Sequence, residues 1–62
     1  MTTTMTNFLN EYNNATDKKE VVINYNAKFV INVLRAKTTE DLAKARADVQ
    51  MFNENYLNKY AN

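Results

Sequence analysis

Apolar positions fall along this chain in three runs separated by short polar connections. In the first, Met5, Phe8, Leu9 and Tyr12 follow i, i+3, i+4, i+7 spacing, which lines one face of a helix. Thr4 or Thr6 offers an N-cap, and the run predicts a short helix over residues 4–14. Asn7, Asn10, Asn13 and Asn14 are mediocre helix formers, so this helix depends on packing against the rest of the chain.

The second run, Asp17 to Lys37, is the most apolar part of the chain. On a helix of about 100° per residue, Val22, Ile23, Tyr25, Ala27, Phe29, Val30, Ile31, Val33, Leu34 and Ala36 cover well over half the circumference. A narrow polar strip is left, made of Asn24, Lys28, Asn32 and Arg35, with Val21 stranded in it. A helix apolar on most sides needs neighbours on two or three of them.

The same residues also read as a strand. Val21, Ile23, Tyr25, Ala27, Phe29, Ile31 and Val33 occupy alternate positions, and such residue types favour strands. The alternation outruns the usual strand of about 3–10 residues. No Gly is present for a hairpin turn, and no second alternating stretch exists to pair with it. Asp17 followed by Glu20 resembles a capping box. Helix is therefore the reading for residues 17–37. Asp17 and Glu20 at its start and Arg35 and Lys37 at its end complement the helix dipole. Lys18 and Lys19 oppose the dipole and are expected to be solvated.

Thr38-Thr39-Glu40-Asp41 marks the clearest boundary, a Thr N-cap with acidic residues in the first turn. The third helix is expected over residues 39–60. Leu42, Ala45, Val49, Phe52, Tyr56 and Tyr60 make one narrow stripe, close to a coiled-coil seam. Glu40–Lys44 and Lys44–Asp48 are i,i+4 pairs on its solvated side. The fold class that follows is all-α. A short N-terminal helix precedes a long antiparallel helical hairpin, in a single domain spanning residues 1–62.

Composition sharpens this picture. With 62 residues, only about 60% of the unfolded surface is buried on folding, and no Cys is present to staple the fold. Three helices would struggle to cover Tyr25, Phe29, Val30, Ile31 and Leu34 together, so these are assigned to a core shared in a homodimeric helical bundle. The absence of Gly and Pro removes the usual β-turn residues and favours helices. A net charge of +1 is too balanced for a strong nucleic-acid or membrane-surface binder. No apolar run reaches the ~20 residues that span a bilayer. The N-terminus MTTTMTNF has no signal-peptide pattern, so a cytoplasmic location is expected. Heavy use of Asn fits small proteins of A+T-rich genomes, phages and mobile elements among them.

Candidate chemistry is sparse. Without His, Cys or Ser, the imidazole base, the thiol and the commonest hydroxyl nucleophile are missing. The carboxylates are accounted for by caps and surface positions, and no Gly-rich phosphate loop exists. The chain is therefore read as a non-enzyme with no cofactor, no metal and no evident small-molecule ligand. The expected function is regulation or inhibition by protein–protein contact, with Met51, Tyr56 and Tyr60 as a candidate partner surface. The alternative is a dimeric, helix-turn-helix-like nucleic-acid binder that uses the Asn24, Lys28, Asn32 and Arg35 strip.

Overall fold

A computed structural model describes residues 1–61. Helices α1 (Thr3–Asn14), α2 (Lys18–Arg35) and α3 (Thr39–Phe52) follow one another, and α3 continues through a π-helical turn, Asn53–Leu57, into a last short turn, α4 (Asn58–Tyr60). No strand occurs among the described residues, and the alternating stretch of residues 21–33 is helical throughout. Pairing decides this: an isolated strand would leave its backbone donors and acceptors without partners, whereas a helix satisfies them internally.

The starts of α1, α2 and α3 are each capped by a side chain. Thr2, in extended backbone, accepts from the Met5 amide at 3.2 Å. Asp17 accepts from the Glu20 amide at 3.1 Å, and Thr38 from the Asp41 amide at 3.0 Å. The first cap is therefore Thr2 rather than Thr4 or Thr6, which both lie inside the helix. The Thr2 hydroxyl also donates to the Asp48 carboxylate, tying the start of α1 to α3. Asp48 is thus turned toward α1, while Lys44 pairs with Glu40 at 3.2 Å.

Lys18 is not simply solvated. Its ammonium donates to the Tyr12 carbonyl at 2.7 Å and to the Ala15 carbonyl at 3.2 Å, and it stands 5.0 Å from the centre of the Tyr12 ring. The charge that opposes the dipole of α2 thus serves the C-terminal end of α1, where orphan carbonyls and the dipole both favour a cation.

The core is aromatic and centred on Phe8. Its ring lies 4.8–5.8 Å from those of Tyr12, Tyr25, Phe29, Phe52 and Tyr56, mostly edge to face, as ring quadrupoles prefer. Met5, Val22, Tyr25, Phe29 and Phe52 complete the buried cluster, and Leu9, Val49, Leu57 and Tyr60 pack at its margin. The π turn explains how α3 keeps facing this core. Phe52, Tyr56 and Tyr60 are spaced by four, and at about 100° per residue two such steps drift by about 80°. Wider i→i+5 turns correct such drift.

Candidate functional site

Helix α2 has two apolar faces, and the fold uses one. Val22, Tyr25 and Phe29 are buried against α1 and α3. Ile23, Val30, Ile31 and Leu34 stay 58%, 45%, 40% and 78% exposed, with Ala27 exposed among them. At helical spacing these five residues share an arc of about 100°, which makes one continuous outer stripe. Its cause is geometric: α1 and α3 pack on the inner side, and none of the elements among the described residues lies over the outer one. Of the residues assigned to a shared core, Tyr25 and Phe29 lie in this chain's own core, while Val30, Ile31 and Leu34 lie on the stripe. Ile23 and Ala27 belong with them, and the four-three-four spacing of Ile23, Ala27, Val30 and Leu34 is the signal that marks them.

The polar strip lies beside this stripe, and two of its members have intramolecular work. Asn32 donates from its amide to the Thr4 hydroxyl at 2.7 Å, linking α2 to α1. The Lys28 ammonium lies 4.4 Å from the centre of the Tyr25 ring. Asn24 and Arg35 are exposed. Arg35 and Asn32 line a shallow cleft of about 300 Å³ whose other walls include Lys44, Asp41 and Asp48. Cations and anions balance there, which does not select an anionic ligand.

Met51, Tyr56 and Tyr60 are all half-buried and pack against the core cluster. Tyr12 and Tyr60 share a hydroxyl–hydroxyl hydrogen bond of 2.8 Å. That bond, then burial, pushes the Tyr12 hydroxyl up to about 12. Burial first, and next the hydrogen bond its hydroxyl donates to the Glu11 carboxylate, push Tyr25 up to about 12. Both tyrosines are thus held neutral in packing roles, and neither is poised as an acid or base near neutral pH.

No protein-family model matches the chain, and no curated protein or solved structure does. Function must be argued from the site alone. Among the described residues no group of three or more Asp or Glu side chains gathers as a metal site, and no helix is long and apolar enough to cross a membrane. The most distinctive surface feature is the outer stripe of α2.

Proposed function

We propose that this is a non-enzymatic regulatory or inhibitory protein that acts by protein–protein contact through the outer stripe of α2. The observation that carries this reading is the exposure of Ile23, Val30, Ile31 and Leu34 on one face. A small domain stabilised by one modest core loses apolar burial by leaving four such side chains in water, and contiguous patches of this kind mark interaction surfaces. The α2–α3 pair is taken as an antiparallel hairpin that holds the stripe rigid, and the homodimeric bundle expected from the sequence uses the same face. The absence of His, Cys and Ser and the balanced charge support a contact role over catalysis or tight nucleic-acid binding. Asn-rich composition fits a phage or mobile-element gene product directed at a host protein.

A photo-crosslinking residue at Leu34, compared with one at the exposed, polar Asn13, tests this in an extract of the source cells. Adducts with a protein other than the chain itself at position 34, and not at 13, are expected. Adducts with itself alone, or equal labelling at both positions, refute the regulatory reading.

A further inference from the structure

We propose that Tyr12 and Tyr60 form an oxidative cross-linking site, at which two one-electron oxidations join their rings into a dityrosine and so fix α1 to the turn α4. Contact, selectivity and topology each support this, independently of the outer stripe of α2.

Contact comes first. The two hydroxyls share a hydrogen bond of 2.8 Å, although the residues stand 48 apart in sequence. Their ring centres lie 6.4 Å apart, with the planes at 71°. That is closer than two phenols extended away from a shared hydrogen bond would be, so the rings fold toward one side of it. One Cε carbon of each ring, ortho to its hydroxyl, is thereby brought near the other. A phenoxyl radical carries much of its spin at those carbons. Turn α4 is three residues long, so little backbone has to move for the rings to close to bonding distance.

The other tyrosines are placed differently. Tyr12 and Tyr60 are both half-buried and keep an edge open to solvent. Tyr25 is 4% exposed, and its hydroxyl is held by the Glu11 carboxylate. The Tyr56 ring stands 4.9 Å from that of Tyr12, but the hydrogen bond of Tyr12 goes to Tyr60. The chain contains no Trp and no Cys, the side chains to which a tyrosyl radical is most easily lost.

The chemistry balances with a peroxide as oxidant. A haem peroxidase turning over one hydrogen peroxide takes one electron from each phenol, and each hydroxyl gives up its proton. The two phenoxyl radicals pair their electrons in one bond between ortho carbons. Each ring then returns its ortho hydrogen to its own oxygen and is a phenol again. The protein has lost two hydrogens, and the peroxide has become two waters. The new bond closes a long loop between α1 and α4. It restricts the unfolded chain as a disulfide would, in a protein that has no cysteine to form one.

Photo-oxidation of the dilute chain with a ruthenium trisbipyridyl complex and persulfate, a one-electron oxidant that needs no docking, is the test. The main product should be a monomer two hydrogens lighter, with dityrosine fluorescence and a peptide map that joins Tyr12 to Tyr60. It should form at least tenfold faster in the folded chain than in urea, and should melt higher than the parent by about 10 °C or more. Tyr12→Phe and Tyr60→Phe keep their rings and should stay helical by far-UV CD, yet each should abolish the product. Tyr56→Phe should leave it in place. A link that maps to another pair, coupling between chains only, or equal rates in folded and unfolded chains overturns the proposal.

Discussion

The two faces of α2 are both apolar and meet different fates. Val22, Tyr25 and Phe29 on the inner face are buried, while Ile23, Val30 and Leu34 on the outer face stand in water. Apolar character does not separate them, because Val22 lies inside and Val30 outside. Phe8 does: its ring fills the space beside Tyr25 and Phe29, and α1 is just long enough to carry Met5, Phe8 and Tyr12 across one side of α2. Burial here belongs to a position relative to neighbours, and residue type alone does not confer it. The inner face stabilises the folded chain, and the outer face is available for association.

That comparison breaks most visibly at Phe29. Its ring is essentially inaccessible, and Phe29→Ala should cost about 3–5 kcal/mol through lost burial and a cavity. A chain of this size holds roughly 3–9 kcal/mol in total, so the variant should be largely unfolded by far-UV CD at room temperature. A cooperative urea transition close to that of the parent would show that the inner face is not the core.

Asn32→Ala removes the bond to Thr4 that ties α2 to α1. Its expected cost is about 0.5–1.5 kcal/mol, read from chemical denaturation, and an unchanged midpoint would assign Asn32 to the solvated strip instead.

Alkaline titration sharpens the same contrast. Tyr12 and Tyr25 are both pushed up from 10.0 to about 12, so each holds its proton more tightly folded than unfolded. Their contribution to stability is complete below pH 10 and is lost as pH climbs from 10 to about 12. Thermal melts across that interval should fall steadily, with the tyrosinate signals of Tyr12 and Tyr25 appearing late in the native protein. Glu11→Gln should lower the Tyr25 titration without returning it to 10.0, since burial, the larger cause, remains. A melting temperature that stays level through this range would contradict both shifts.

The smallest effect is expected on the outer face. Leu34 is 78% exposed, and Leu34→Ala should change the stability of the dilute monomer by less than about 0.5 kcal/mol. A loss comparable to that of Phe29→Ala would mean that this face is already covered within a single chain.

Much of the local structure was legible in the residues. The i, i+3, i+4 spacing of Met5, Phe8, Leu9 and Tyr12 marks α1, and the caps at Asp17 and Thr38 act on Glu20 and Asp41 as the capping pattern implies. Four features were not legible. A run of three threonines carries no local preference for which one caps, and the bond from Thr2 to Asp48 lies between elements distant in sequence. The role of Lys18 depends on the C-terminal end of α1 lying beside it. The four-residue steps from Phe52 to Tyr60 show that the stripe drifts, but not that a π turn absorbs the drift.

By itself the sequence determined the helices, two of their three starts and the surplus of apolar surface on α2, because period, capping chemistry and composition are local properties. The tertiary structure alone decided which part of that surplus becomes core, and so left Ile23, Val30, Ile31 and Leu34 outside. The physical reason is area: α1 and α3 can shield only one side of a helix that is apolar on two.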